Sequence, residues 1–263
     1  MGEMNESKTV SAAVILIGDE VLSGRTRDAN LQAIAQFLAP LGVSVAECRT
    51  VSDEADRIIA AVNTLRAEND YVFTTGGIGP THDDITAESV GAAFGVHTGI
   101  RDDALEIIEE WYARTGTPLT ESRKRMARIP DTASLIDNPV TGAPGFQIGN
   151  VFVLAGVPKI ARGMLEDIAH RIEGGAVTRS RSVRADNLRE GDIAEPLGAM
   201  QEEHPTVSIG SYPYFQDVDG GGFKRGTHLV ARATDAAELD QVIEKIASLV
   251  SGLGFETQID PEV

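Results

Sequence analysis

The chain is poor in cysteine, in basic residues and in long apolar runs, and each shortage excludes a class of protein. Cys48 is the single cysteine in 263 residues, which excludes an intramolecular disulfide framework and argues against a zinc cluster. The 23 Lys and Arg face 40 Asp and Glu, giving a formal net charge of -17 at pH 7. Surplus basic side chains bind a nucleic-acid backbone by releasing its counterions, so this balance argues against a nucleic acid as partner. The longest uninterrupted apolar stretch runs from Ala12 to Ile17, far short of the roughly 20 residues that cross a bilayer. The polar start, Met1 to Glu6, lacks the basic and apolar regions of a signal peptide. A cytoplasmic protein without a membrane partner is expected, and no internal repeat is visible.

The chain does have the composition of a folded protein. At 42% hydrophobic and 24% charged residues it is ordinary for a globular chain, and its length suits one large domain or two of common size. The first half alternates short apolar runs with amphipathic segments, the pattern of βαβ units around a parallel sheet. Val10 to Gly18 reads as a strand buried on both faces. Leu31, Ile34, Leu38 and Leu41 form one stripe of a helix over 28–41, ended by Gly42. A strand over 43–51 follows, with Cys48 expected in its core, then a helix capped by Ser52 and a strand over 70–75. Helices are expected over 84–94, 102–115, 119–126 and 158–172, and strands over 133–136, 145–148 and 151–154.

Gly174-Gly175 marks a change of pattern. The boundary is placed there, giving an α/β domain over residues 10–173 and a small α+β domain over residues 174–263. The second domain reads strand, helix, strand, strand, helix, with a possible closing strand over 255–259, which is the split βαβ, ferredoxin-like order. Asp219 to Gly222 is expected to be a hairpin tip.

Open parallel sheets bind ligands beyond the carboxyl ends of their strands. Two such loops hold groups suited to chemistry. The first, Gly18 to Asn30, contains Asp19, Glu20, Arg25, Arg27, Asp28 and Asn30; the second, Thr74 to Thr86, contains Gly76, Gly77, Gly79, Thr81, His82, Asp83 and Asp84. Glycines let backbone approach a phosphate, and a following helix offers N–H groups to an anion. The second loop nevertheless has neither the lysine of a Walker A loop nor a Gly-x-Gly-x-x-Gly fingerprint. Asp83 and Asp84 stand where a cation would help, and Mg²⁺ reconciles carboxylates with phosphate by bridging them. The plainer alternative is that they complement a helix dipole, and that Asp28 is an N-cap. A third segment, Asn138 to Phe146 with Ala155 to Lys159, either shapes turns or forms another wall of the same pocket.

At these residues the sequence resembles the molybdopterin-binding fold of the MoaB/Mog type. The resemblance rests on Ile17 to Gly24 with Asp28-Ala29-Asn30, and on Thr75 to Thr86. It is more closely similar to the N-terminal part of competence/damage-inducible CinA proteins and the first domain of eukaryotic FAD synthases, over roughly residues 10–172. The resemblance implies a three-layer α/β/α molybdopterin-binding domain followed by a small ferredoxin-like α+β domain. It implies a phosphorylated pterin or an adenine dinucleotide as ligand, a divalent cation such as Mg²⁺, and a homo-oligomer.

Family members either adenylate molybdopterin or cleave a pyrophosphate in ADP-ribose or FAD. The implied activity is a metal-dependent nucleotide pyrophosphatase, the alternative a molybdopterin or nucleotide binding module of molybdenum cofactor biosynthesis. The implied catalytic and metal residues are Asp84 and Asp83. The implied ligand-binding residues are Gly76, Gly77, Gly79, Thr81, Glu20, Asp28, Asn30, Asn138, Gly145 and Pro158. The sequence departs from the family at Thr141-Gly142, which stand exchanged, and at Ala155, where a proline is usual. The nicotinamide mononucleotide deamidase domain that follows in CinA proteins is expected to be absent, since the sequence ends at Val263.

Overall fold

A computed structural model describes residues 9–217 and 222–260, which divide between Ala176 and Val177 into two compact units. Residues 219–221 of the expected hairpin tip lie outside the described residues. Among the described residues no helix is long and apolar enough to cross a membrane.

The first unit contains, in chain order, β1 (Val10–Ile17), α1 (Asp19–Leu22), α2 (Asn30–Leu38), β2 (Val43–Val51), α3 (Ala55–Glu68), β3 (Tyr71–Thr75) and α4 (Thr86–Phe94). There follow β4 (Thr98–Ile100), α5 (Asp102–Thr115), α6 (Glu121–Lys124), β5 (Arg128–Pro130), β6 (Ser134–Ile136), β7 (Gly145–Ile148), β8 (Val151–Leu154) and α7 (Pro158–Ile168). Six strands form one sheet in the order β2-β1-β3-β8-β7-β6. β2, β1, β3 and β8 run parallel, whereas β7 pairs antiparallel with β8 and β6 antiparallel with β7. The sheet is therefore mixed, because β8 returns from β7 across the two-residue turn Gly149-Asn150 rather than by a helical crossover.

Helices cover both faces, which explains why β1 and β8 are buried along almost their whole length. On one side Ile58, Val62, Leu65, Val90 and Ile108 from α3, α4 and α5 pack against Ile15, Val72 and Val153. On the other, Ile34, Leu38, Met164, Leu165 and Ile168 from α2 and α7 pack against Val14, Phe73, Phe152 and Leu154. This is the three-layer α/β/α arrangement of the MoaB/Mog type. β2 lies at the sheet edge and its residues alternate in burial. Cys48 falls on the outward side and is exposed, which corrects its expected place in the core. Partial burial and the Asp28 and Glu47 carboxylates push its thiol up, so it is a poor nucleophile.

Ser52 does not cap α3. The helix begins at Ala55 without a side-chain cap, because residues 52–54 stay extended or bent and carry Asp53 toward the loop after β1. Two short strands that periodicity did not resolve, β4 and β5, pair antiparallel beside α4.

The second unit contains β9 (Arg179–Asp186), α8 (Glu190–Glu203), β10 (Ser208–Asp217), β11 (Phe223–Ala233), α9 (Ala236–Gly252) and β12 (Thr257–Asp260). The all-antiparallel order β10-β11-β9-β12 is that of a ferredoxin-like fold. Asp235 caps α9 by accepting the Glu238 N–H at 2.9 Å. Leu239, Val242, Ile246 and Val250 of α9 meet Val183, Leu229 and Ala231 of the sheet in one core.

Phe152 is fully buried and stacks on Phe73 with ring centroids 5.1 Å apart. Phe152→Ala is expected to destabilise the first unit by about 3–5 kcal/mol, read as a lowered urea midpoint. An unchanged midpoint would refute the central place assigned to this pair.

Candidate functional site

The loops after β1, β3 and β8 converge because those strands are sheet neighbours with the same direction. The glycine loop is shaped by two contacts. Gly76 has φ +103°, and a Cβ there would stand 2.1 Å from the Ile17 carbonyl oxygen; Gly77 has φ +67°, and its Cβ would stand 2.1 Å from Thr86 Oγ1. Neither position accepts a side chain. Thr86 then closes the loop, its N–H donating to Gly77 O and its hydroxyl to Gly76 O, both at 3.0 Å. The N–H that would have greeted an anion at the start of α4 is thereby used inside the protein. The open backbone lies in the loop itself, at Gly76 to Pro80.

A cavity of about 580 Å³ opens on this loop, a size suited to a small organic ligand. Gly76, Gly77, Gly79, Asp84, Glu20, Asn138 and Pro158 all line it. Asp28 and Asn30 line an adjoining chamber of about 50 Å³ whose wall also includes Glu20 and Pro158. Thr81 and Asp83 are exposed and stand outside both linings, as does Gly145. Gly145 sits in β7, buried, where a Cβ would meet the Val153 carbonyl oxygen at 2.4 Å.

Each side chain is held by identifiable partners. Asp84 Oδ2 accepts the Thr81 N–H at 2.7 Å and the Thr81 hydroxyl at 2.5 Å. A carboxylate has about four lone-pair positions, so Oδ1 keeps capacity for a cation shared with a phosphate. Asp28 behaves as a cap, accepting from the N–H of Asn30 at 3.1 Å and of Leu31 at 3.0 Å. Asn138 is 2% exposed and spends its amide on its own loop. Nδ2 donates to Thr141 Oγ1 and Ala143 O, and Oδ1 accepts from the N–H of Val140 and Thr141. The exchanged Thr141-Gly142 pair thus supports the wall through Asn138.

The structure adds two charged groups that the motifs did not single out. Arg123, just before the end of α6, lines the cavity with its guanidinium 5.1 Å from the Tyr112 ring centre and a hydrogen bond to Pro118 O. It lies far from both glycine loops in sequence, so spacing gave no signal for it. Asp53, after β2, accepts the Asp19 N–H at 3.0 Å. Burial pushes the Asp53 carboxyl up, the Asp19 N–H partly offsets this, and the carboxylates of Asp19, Glu20 and Asp83 push it up further. His82 is almost fully exposed, with Nδ1 3.8 Å from Asp83.

A raised carboxyl pKa means that the fold prefers the neutral acid, so ionising Asp53 costs stability as pH rises above the ordinary carboxylate range. Asp53→Asn imitates the neutral form and keeps an acceptor for Asp19. Its Tm is expected to match wild type near pH 3, to exceed it as the pH rises through the ordinary carboxylate range, and to keep a constant lead once the pH is above the raised Asp53 pKa. A Tm difference independent of pH would contradict the assigned cause.

Comparison with known proteins places the chain in a family. Residues 13–174 match the family described as "Probable molybdopterin binding domain", and residues 179–256 match "FAD synthase, middle domain". A protein of Pyrobaculum calidifontis is 32% identical over 250 residues, which are 91% of this chain and 95% of that one. A CinA-like protein of Citrifermentans bemidjiense is 34% identical over 92% of this chain but only 59% of its own length. The chain thus spans nearly all of the first relative and less than two thirds of the second. The crystal structure of a CinA protein from Thermoplasma acidophilum, 35% identical, superposes with a TM-score of 0.57 over 62% of this chain and 99% of that one. With a mixed sheet between helical layers, a glycine loop under a shared cavity and a family match over most of its length, this chain belongs to the molybdopterin-binding-domain family and is CinA-like in type.

Proposed function

We propose that the first unit is a metal-dependent hydrolase of a nucleotide pyrophosphate linkage of the ADP-ribose or FAD type. The observation that carries this reading is the placement of Glu20, Asp84, the glycine-loop backbone and Arg123 around one cavity. The backbone of Gly76, Gly77 and Gly79 can approach phosphate closely, and Arg123 supplies the positive charge that the glycine loop lacks. Ile78, Met126, Val157 and Ile160 give the cavity an apolar wall against which a flat ring can rest and from which water is displaced. Glu20 also lines the cavity, a carboxylate available to accept a proton from an attacking water. The likeness of the second unit to the middle domain of FAD synthase supports a flavin nucleotide among the substrates tested.

The donor set fits a divalent cation of one kind. Among the described residues no three His, Cys, Asp or Glu side chains gather into a metal centre. A cation here would instead be held by Asp84, with Asp83 as its neighbour in the loop, and otherwise by water and ligand phosphate oxygens, as is usual for Mg²⁺. When bound, such an ion neutralises phosphoryl charge and makes phosphorus more electrophilic. The alternative reading is a molybdopterin or nucleotide binding module, adenylating or without turnover. It is favoured by the family match and by Arg123, which answers phosphate without a metal.

The deciding experiment measures thermal shifts with ADP-ribose, FAD, ATP and a molybdopterin precursor, each with Mg²⁺ and with EDTA, followed by an assay for released AMP. Metal-dependent binding with AMP release is expected. Binding unchanged by EDTA and no product from any ligand would overturn the hydrolase and leave the binding module. Asp84→Asn retains an acceptor for Thr81 and removes the charge. It is expected to keep the wild-type Tm while losing about a hundredfold or more in kcat; full activity would remove Asp84 from the mechanism. A homo-oligomer is also proposed, and sedimentation at micromolar concentration is expected to give a mass above the 28.0 kDa of one chain. A monomer would refute it.

A further inference from the structure

Residues 123–128 form a basic stretch in an acidic chain, with Arg123, Lys124, Arg125 and Arg128 and no acid between them. Three of these four side chains are committed to partners. Arg123 bonds to Pro118 O beside the Tyr112 ring, Lys124 pairs with Glu121 at 2.8 Å, and Arg128 pairs with Glu88. Arg125, the first residue after α6, is half-buried and makes no hydrogen bond or ion pair among the described residues. Its Nε is enclosed without an acceptor, whereas its two terminal nitrogens are not enclosed. A guanidinium drawn partly out of water without a partner is unfavourable for folding, so packing alone does not account for it.

What Arg125 faces says what it can bind. With Gly77, Gly79 and Asp84 it lines a hollow of about 10 Å³, room for one water-sized group and too little for a sugar or a ring. Asp84 and Arg125 border this hollow without pairing with each other. The hollow and the main cavity share Gly77, Ile78, Gly79, Asp84 and Met126, so a ligand lying on the glycine loop borders both. The N–H groups of Gly77, Ile78 and Gly79 donate to no acceptor among the described residues. Successive free N–H groups form an anion-binding concavity, and a guanidinium beside them matches phosphate in shape and charge. A neutral oxygen in the hollow leaves the Arg125 charge unanswered. A phosphoryl oxygen answers it, and a phosphate can also share a cation with Asp84.

We propose that Arg125 is a phosphate-binding residue: through its terminal nitrogens it takes one non-bridging phosphoryl oxygen of the ligand in this hollow, opposite Asp84. The inference rests on the nucleotide reading of the neighbouring cavity and adds the side chain that meets phosphate at the glycine loop.

Calorimetric titration of the full chain with ADP, ADP-ribose, FAD and adenosine, all with Mg²⁺, compares wild type with Arg125→Met, which keeps an unbranched side chain and removes the charge. Each phosphate-bearing ligand that wild type binds is expected to bind the variant about tenfold or more weakly. The ligand-free Tm of the variant is expected to equal or exceed that of wild type, since no partner within the protein is lost. A purely structural arginine does not separate affinity from stability in this way. In wild type, the enclosed Nε–H of Arg125 gives a resonance that is assigned by its absence from Arg125→Met. It is expected to shift with the phosphate-bearing ligand and to stay in place with adenosine. Undiminished binding by Arg125→Met overturns the proposal and leaves the nucleotide reading intact. A lowered ligand-free Tm assigns Arg125 to the fold, held through a bridging water, and also overturns it, as does a resonance that moves with adenosine. Failure of ADP, ADP-ribose and FAD alike to bind wild type overturns both.

Discussion

The candidate site depends on backbone meeting backbone at the carboxyl ends of β1, β3 and β8. Gly76 passes so close to the Ile17 carbonyl that no side chain fits between them, and its N–H donates to Leu154 O at 3.2 Å. One residue therefore joins three strand ends. The loops that follow those strands must then share a single mouth, lined by Glu20, Asp84 and the backbone of the glycine loop. Thr86 fixes the far side of the glycine loop by bonding to both Gly76 and Gly77, which makes the loop a rigid cradle rather than a flexible cover.

Electrostatics follows from that geometry. Burial first, and then the nearby carboxylates of Asp19, Glu20 and Asp83, raise the Asp53 carboxyl, in a protein whose formal charge is already -17. Such a mouth repels a free polyanion at long range. The function proposed above meets this with a cation that the ligand brings with its phosphates. Arg123 and the exposed backbone of the glycine loop supply the local attraction.

Much of this was legible in the residue pattern. Runs such as Val10 to Ile17, apolar at every residue but Ser11, signal a strand covered on both faces, and the stripe Leu239, Val242, Ile246 signals a helix with one buried side. The two loop motifs identified the family and located Glu20, Asn30 and Asp84. The edge position of β2, which turned Cys48 outward, was not legible, because burial of an alternating strand depends on what lies beside it. Nor were the uses of Asp28 and Asn138: both are side chains typical of ligand sites, and both were found bonding to nearby backbone, as short polar side chains do at helix starts and turns.

The amino-acid sequence by itself determined the two-part α/β and ferredoxin-like architecture, the family, and the glycines without which the cradle cannot close, since periodicity and positive φ are local properties. The tertiary structure alone decided that Arg123 from α6 joins the mouth, that Asp53 from the loop after β2 accepts the Asp19 N–H, that Gly145 belongs to the sheet, and that Asn30 is buried against Gly156. These depend on which distant segments the sheet order brings together, and charge, burial and hydrogen-bond satisfaction are properties of that neighbourhood rather than of any stretch of chain.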